Sequence, residues 1–127
     1  PYKRDRAVLR LAIDHGAVAT SGNSERGIEV EGVRYSHILD PRCGEPAADF
    51  GTLTVWAPDA LSADCLSTGL YVLGPDQALA WASDHPDIEV LVLETVPNGL
   101  RARATAGLVG RISDLDEQVT LEIVGNG

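Results

Sequence analysis

The strongest helical signal in the chain lies in the stretch Asp59-Ala-Leu-Ser-Ala-Asp-Cys-Leu-Ser-Thr-Gly-Leu-Tyr-Val-Leu-Gly74. Asp59 is a suitable N-cap residue, and Gly74 is suitable for the position just after a helix, so we predict a helix from about Ala60 to Leu73. Apolar residues nearly surround this predicted helix. We therefore expect the helix to be largely buried.

Two polar residues of this helix, Asp64 and Thr68, are four positions apart and so share one helix face. Together they offer a carboxylate and a hydroxyl oxygen, and Mg²⁺ commonly takes one or two carboxylates along with phosphate and water oxygens. From the spacing alone, an intrahelical hydrogen bond or a carboxylate satisfied by nearby backbone is the commoner explanation. A buried carboxylate is costly unless it is paired or bound to a metal, so Asp64 needs a partner that the helix does not supply.

Outside this helix the pattern predicts mainly short strands. A second helix is predicted over residues 77 to 84, and Pro75 just before it suits the first turn of a helix. The predicted strands are residues 8–13, 17–19, 28–30, 33–35, 52–57, 88–93 and 100–104, of which the third and fourth form a hairpin around Glu31-Gly32. Residues 20–24 are predicted as a loop, and residues 106–112 as either one helical turn or a strand. This pattern predicts an α+β fold in which antiparallel strands pack with two or more helices.

Two further segments contain residues suited to ligand binding. In Tyr35-Ser-His-Ile-Leu-Asp-Pro-Arg-Cys-Gly-Glu-Pro46 the prolines stiffen the loop, and His37 follows the end of a predicted strand. A single histidine in such a place is most often a surface residue, although its unperturbed pKa suits proton transfer. In Ala19-Thr-Ser-Gly-Asn-Ser-Glu-Arg26 small residues would let a ligand approach the backbone amides, but most such stretches are plain turns.

Taken together, these three segments resemble the motifs of the FAD:protein FMN transferases, the ApbE-like flavin transferases. The family's His-x-x-Asp-Pro-x-Thr-Gly-x-Pro loop is matched by His37, Asp40, Pro41, Gly44 and Pro46. Its Ala-Asp-x-x-Ser-Thr helix is matched by Ala63, Asp64, Ser67 and Thr68. Residues 19–26 resemble the family's Thr-Ser-Gly-Asp-x-Glu-Arg stretch. The fold implied is the C-terminal half of an ApbE-like, T-fold-like domain.

The resemblance also implies roles for particular residues. Asp64 and Thr68 would bind Mg²⁺ together with a backbone carbonyl from outside this chain. The flavin nucleotide would be lined by Ser21, Gly22, Asn23, His37 and Asp40. Of these, His37 is the candidate general base for the acceptor hydroxyl, and Asp40 more simply orders its loop.

Two residues depart from the family's usual pattern. Asn23 stands where the family usually has Asp, which removes a charge from the nucleotide loop. Cys43 stands where the family usually has Thr, and a thiol is a poor substitute for a hydroxyl in hydrogen bonding. No adjacent base pattern supports a nucleophilic role for Cys43.

The activity implied is Mg²⁺-dependent transfer of FMN from FAD, the substrate, to a Thr or Ser hydroxyl of an acceptor protein, a subunit of a membrane redox complex. Two alternatives remain open: a pyrophosphatase that hydrolyses FAD to FMN and AMP, and a flavin-binding remnant that does not turn over. We assign residues 1–112 to the C-terminal part of the transferase domain and residues 113–127 to a tail with a possible edge strand. The missing N-terminal half is expected in the same or another chain, so residues 1–127 alone should transfer little FMN. By resemblance the protein is bacterial and either associated with the cell envelope or cytoplasmic.

Composition excludes some classes of function. The 127 residues carry a formal net charge of −9, which disfavours a nucleic-acid partner. Nine of the 19 acidic residues and none of the ten basic ones lie between Cys43 and Leu100, which indicates either a solvated acidic surface or a region able to hold a cation. The two cysteines form no zinc-type cluster. No apolar run is long enough to cross a bilayer, and no signal segment is visible.

Overall fold

The computed structural model describes residues 7–22, 27–31, 51–97, 99–113, 115, 117 and 119–124. For residues 7, 8, 22 and 27–31 it describes the backbone alone.

Over these residues, the larger of the sheets has five strands in the spatial order β2-β4-β5-β6-β8. The strand bounds are Ala17–Gly22 for β2, Gly51–Ala57 for β4, Glu89–Val96 for β5, Gly99–Thr105 for β6 and Val119–Val124 for β8. The pairs β2-β4, β4-β5 and β5-β6 are antiparallel, whereas β8 runs parallel to β6. β8 occupies one edge of the sheet, where the alternating residues of the tail predicted a strand.

A smaller sheet has three strands in the order β3-β1-β7. These strands are β1 (Ala7–Ala12), β3 (Gly27–Glu31) and β7 (Ile112–Ser113). β1 is parallel to β3 and antiparallel to β7. Residues 106–112 combine both predicted alternatives, because a 3₁₀ turn at Ala106–Leu108 is followed by β7.

The helices α1 (Ala60–Leu73) and α2 (Pro75–Ser83) pack on one face of the larger sheet, α1 mainly over β2 and β4 and α2 mainly over β5. Side chains alternate between the two faces of a strand, and the helices cover the apolar side chains on one of these faces. Those of β4 and β5 are Leu53, Val55, Val90 and Val92, which share a buried cluster with Leu70 and Tyr71 of α1 and Leu79 of α2. This cluster anchors both helices to the sheet.

The opposite face of the larger sheet is buried as well. There Trp56, Leu91 and Leu93 form a second cluster with Leu9 and Leu11 of β1. Strand β5 is covered on both faces, which explains why its core reads as a continuous apolar run rather than an alternating one. The described elements thus form three layers, and the α+β fold predicted from the sequence is confirmed.

The bounds of α1 agree with the prediction, and its caps explain why. The Asp59 carboxylate accepts a hydrogen bond of 2.8 Å from the backbone N–H of Ser62. At the other end Gly74 has a φ of 98°, a conformation that L side chains rarely adopt. Helix α2 begins at Pro75 and ends at Ser83, close to the predicted limits.

Two predictions were wrong. Helix α1 is not largely buried, because Leu61 and Val72 are 73% and 66% exposed and only one side of the helix faces the sheet. The loop predicted from Thr20 onward begins later, because β2 continues to Gly22 in register with Thr52. A 2.9 Å hydrogen bond between the Thr20 and Thr54 hydroxyls supports this extension of the strand.

The second strand of the predicted hairpin, residues 33–35, lies outside the described residues, while β3 itself pairs with β1. Among the helices that the structure describes, none is long and apolar enough to span a membrane.

Candidate functional site

Two of the sequence segments singled out above meet where α1 crosses β2. The hydroxyl oxygens of Ser21 and Ser67 are 3.1 Å apart. Both residues are buried, with 1% and 0% of their surface exposed. The Ser-Gly strand and the Asp/Thr helix are therefore in direct contact, although Ser21 and Ser67 are 46 positions apart in the chain.

Ser67 also makes a contact within its own helix. Its hydroxyl donates a hydrogen bond of 3.1 Å to the backbone carbonyl of Asp64, one turn earlier. Since a serine hydroxyl has one proton, Ser21 must then be the donor in the bond between the two serines. The resulting chain of hydrogen bonds runs from Ser21 through Ser67 to the main chain of Asp64.

Asp64 and Thr68 are both half-buried on α1. In the part of the chain that the structure describes, neither the Asp64 carboxylate nor the Thr68 hydroxyl takes part in a hydrogen bond or ion pair. The intrahelical hydrogen bond that the spacing alone favoured is therefore absent between these two side chains. Their oxygens are available to a cation, and a carboxylate with a hydroxyl suits Mg²⁺ when phosphate and water complete its shell.

The remaining predicted site residues are described only in part. Gly22 is the last residue of β2, and its backbone lies opposite Thr52 of β4. Asn23, His37, Asp40 and Cys43 lie outside the described residues. The described ranges contain no group of three or more His, Cys, Asp or Glu residues that could hold a metal ion. The pair of Asp64 and Thr68 has only one residue of these types, so it is a different kind of site.

The sequence reading assigned no chemistry to Ser67, although the residue belongs to the matched helix motif. A signal for its structural role was present, because Ser67 falls at helical spacing between the apolar residues Ala63 and Leu70, all three of which are buried. A serine on the inner face of a helix needs a hydrogen-bond partner. Ser21 and the Asp64 carbonyl are those partners.

An ion cluster lies on the helix-facing side of β5 and β6. The Glu94 carboxylate accepts hydrogen bonds from Arg103 at 2.9 and 3.2 Å and from Arg101 at 3.2 Å. Arg103 also pairs with Asp76 of α2 at 2.8 Å. Desolvation lowers the pKa of Arg103, but hydrogen bonds and charge from Glu94 and Asp76 outweigh it, so the net pKa lies above the usual value.

This cluster explains part of the acidic stretch found in the sequence. Glu94 and Asp76 belong to the region from Cys43 to Leu100 that has no basic residue, yet arginines just beyond that region pair with both. With two carboxylates and two guanidinium groups the cluster is electrically balanced. It is therefore a structural link between α2 and the sheet rather than a free cation site.

A cleft of about 330 Å³ opens near the end of the sheet where β4 finishes. One of its walls is fixed by Trp56, whose indole N–H donates to the His15 carbonyl at 2.7 Å and whose ring lies 4.7 Å from the Arg111 guanidinium carbon. Glu89, another lining residue, accepts hydrogen bonds from the Thr105 hydroxyl and from the backbone N–H of Gly107. None of the predicted flavin- or metal-binding residues that the structure describes, which are Ser21, Gly22, Asp64 and Thr68, lines this cleft.

Near the same cleft, a hydrogen bond from His15 lowers the pKa of the Asp14 carboxyl, with a smaller contribution from the Arg111 charge. Asp14 and His15 are both largely exposed, with side-chain exposures of 69% and 70%. Solvent therefore screens this pair.

Comparison with known proteins places the matching region over most of the chain. The model of the ApbE family matches residues 1–92. An FAD:protein FMN transferase of Treponema pallidum (strain Nichols) is 37% identical over 118 residues, which are 92% of this chain and 32% of that protein. An FAD:protein FMN transferase of Vibrio cholerae (serotype O1, strain ATCC 39541 / Classical Ogawa 395 / O395) is 37% identical over 105 residues, or 80% of this chain and 31% of that protein.

A solved structure, the flavin transferase ApbE from Vibrio cholerae, is also similar. It aligns with a TM-score of 0.52 and 35% sequence identity over 72% of this chain and 28% of that chain. The chain thus spans about a third of the length of the relatives it matches, not the half that the sequence reading expected.

Proposed function

Because this chain belongs to the ApbE family, we propose that it supplies part of a flavin transferase site, which moves FMN from FAD to an acceptor protein. The observation that carries the proposal is the contact between Ser21 and Ser67. This contact joins the strand of the flavin-loop motif to the helix that presents Asp64 and Thr68.

Asp64 and Thr68 would hold Mg²⁺ in this site. Their fit rests on the chemistry of the two side chains and on their free oxygens, as described above. When bound, Mg²⁺ would supply Lewis acidity that offsets the charge developing on the FAD pyrophosphate. Gly22 and Asn23 would approach the nucleotide through their backbone, since Gly22 has no side chain to keep a ligand away.

The acceptor's Thr or Ser hydroxyl would attack the FMN-side phosphorus of FAD. A new P–O bond to the acceptor forms, the P–O bond to the bridging oxygen breaks, and AMP leaves with that oxygen. His37 would take the proton of the attacking hydroxyl, which is general-base help typically worth about 10²–10⁴ in rate. Asp40 would order the loop that carries His37.

The partners would be FAD, an acceptor protein and the part of the flavin site contributed by residues beyond these 127. By resemblance, the acceptor is a subunit of a membrane redox complex. Phosphoryl transfer depends on holding the nucleotide and the attacking oxygen in line. We therefore expect residues 1–127 alone to transfer little FMN.

The test uses the longest natural polypeptide that contains these residues. It is incubated with FAD, Mg²⁺ and a Thr-containing acceptor peptide, and the peptide is then examined by mass spectrometry. Acceptor that gains the mass of FMN, with one AMP released for each FMN added, is the expected result. Free FMN and AMP with unmodified acceptor would replace the proposal with the pyrophosphatase, and FAD binding without turnover would replace it with the non-catalytic remnant.

A further inference from the structure

Strand β2 contributes only small apolar side chains to the buried cluster that it shares with α1. Ala17 and Ala19 of β2 and Ala63 of α1 are at most 2% exposed and belong to the same buried cluster. Small side chains let a helix lie close to a strand, but apolar contact has no direction. Contacts of this kind alone would set the position of α1 along β2 only weakly.

The hydrogen-bond chain from Ser21 through Ser67 to Asp64 is directional. The two hydroxyls are buried, so any contact of Ser21 with the flavin nucleotide, which the motif predicts, would come from its backbone. Each can act only through the groups it holds in place. One end of the chain is on β2 next to Gly22, and the other end is the backbone carbonyl of Asp64.

We propose that Ser67 is a positioning residue, because its hydrogen bond to Ser21 sets the position of α1 on β2. The position of α1 in turn sets where the oxygens of Asp64 and Thr68 lie relative to Gly22 at the end of β2. The inference rests on the proposed function, because it assumes that those two oxygens bind Mg²⁺ and that the end of β2 approaches the nucleotide. It adds Ser67, and the side chain of Ser21, as groups that couple the metal position to the nucleotide position.

The proposal predicts a specific defect in Ser67→Ala. The half-saturating Mg²⁺ concentration for FAD binding should rise about fivefold, which is the effect expected if the free energy of one hydrogen bond, that between Ser21 and Ser67, no longer holds α1 in position. FAD binding without Mg²⁺ should change little, because the metal ligands are then not in use. A purely structural role would lower stability and leave the Mg²⁺ dependence unchanged.

The measurement is an FAD titration, followed by flavin fluorescence over a range of Mg²⁺ concentrations, in the longest natural polypeptide that contains these residues. Ser83→Ala is the matched control, because the Ser83 hydroxyl also donates to a carbonyl of its own helix, that of Leu79 at 3.2 Å. Ser83 is exposed and lies on α2, away from Ser21. This control should retain the native Mg²⁺ dependence.

Ser21→Ala and the double variant complete a mutant cycle. If the bond between the two hydroxyls is the cause, the two single changes should be non-additive in their effect on the Mg²⁺ dependence. Where Ser67→Ala does not fold, Ser21→Ala decides, because it breaks the same bond and keeps the bond to Asp64.

An unchanged Mg²⁺ half-saturation in every soluble variant of the pair would overturn the positioning role. This outcome differs from failure of the proposed function, in which the native protein itself would bind FAD with no dependence on Mg²⁺.

Discussion

The carboxylate of Glu94 and the guanidinium of Arg103 face each other across the hairpin of β5 and β6, with N–O distances of 2.9 and 3.2 Å. Their side chains are 10% and 15% exposed. Removing Glu94 would leave the Arg103 guanidinium with Asp76, whose side chain is 83% exposed, as its remaining carboxylate partner.

We therefore predict that Glu94→Gln lowers the free energy of unfolding by about 3 kcal/mol. Glu122→Gln, at an exposed position of β8, is the control and should change it by no more than about 0.5 kcal/mol. Urea denaturation of the 127-residue chain measures both. Because folding raises the pKa of Arg103, the stabilisation that the charged guanidinium gives the folded state is present at all pH values below the unfolded pKa of Arg103. The cost should thus be the same at about pH 6 and about pH 9, and equal effects of the two substitutions would show that the cluster does not stabilise the sheet.

The direction of the hydrogen bonds at Ser67 predicts unequal effects of two serine substitutions. Ser67→Ala removes two hydrogen bonds and leaves the buried Ser21 donor without a partner. Ser21→Ala removes one bond and leaves Ser67 still donating to Asp64. Urea denaturation should show Ser67→Ala to be the more destabilising by about 1 kcal/mol. Ser21→Ala as the more destabilising change would mean that Ser67 donates to Ser21 rather than to the Asp64 carbonyl.

Two glycines should respond in opposite ways to alanine. Gly69 lies within α1, and a Cβ added there meets no atom within 4 Å, so Gly69→Ala should stabilise the chain by about 0.5–1 kcal/mol. Gly16 has a φ of 78°, and a Cβ there would lie 2.4 Å from the carbonyl oxygen of Ala57. Gly16→Ala should destabilise the chain by about 1–3 kcal/mol. Thermal unfolding of both variants checks these two predictions. An unfolding midpoint for Gly69→Ala below that of the native chain would contradict the open environment of Gly69.

The N-cap of α1 should depend on pH. Hydrogen bonds from the backbone N–H and side chain of Ser62 lower the pKa of Asp59 below its ordinary 3.8. A carboxyl whose pKa is lowered by folding stabilises the protein above its unfolded pKa, and this stabilisation is lost as the pH falls through the folded value. Asp59→Ala should therefore unfold at lower urea concentration than the native chain at neutral pH, and the gap should narrow in acid. Asp59→Asn keeps a capping oxygen and should lie closer to the native chain; a gap that is independent of pH would contradict the ionised cap.

Local signals in the sequence were sufficient for part of this fold. Asp59 and Gly74 act on their own neighbours, so the bounds of α1 follow from the chain around them. The burial of α1 was misjudged because apolar residues on several sides do not reveal which side meets a sheet. The parallel pairing of β1 with β3 depends on contacts distant in the chain, as does the side of the sheet that each strand faces.

The candidate site, like the fold, could be predicted only where the signal is local in the sequence. Asp64 and Thr68 were recognised from their spacing and from the motif around them. The contact between Ser21 and Ser67 was not, because it joins residues 46 positions apart whose hydroxyls have no pattern in common. The pairing of Glu94 with Arg103 likewise had no signal in the sequence, because only the β5–β6 hairpin brings the two side chains together.

The most direct test of the proposed function asks whether Asp64 binds Mg²⁺. FAD is titrated into the longest natural polypeptide that contains these residues, once with Mg²⁺ and once after chelation. Three proteins are compared: the native protein, Asp64→Asn and the control Asp84→Asn. Asp84 is an exposed residue at the end of α2. We predict that Mg²⁺ tightens FAD binding in the native protein and in Asp84→Asn, and has little effect in Asp64→Asn. Equal affinity in all three proteins, with and without Mg²⁺, would contradict the assignment of Asp64 as a metal ligand.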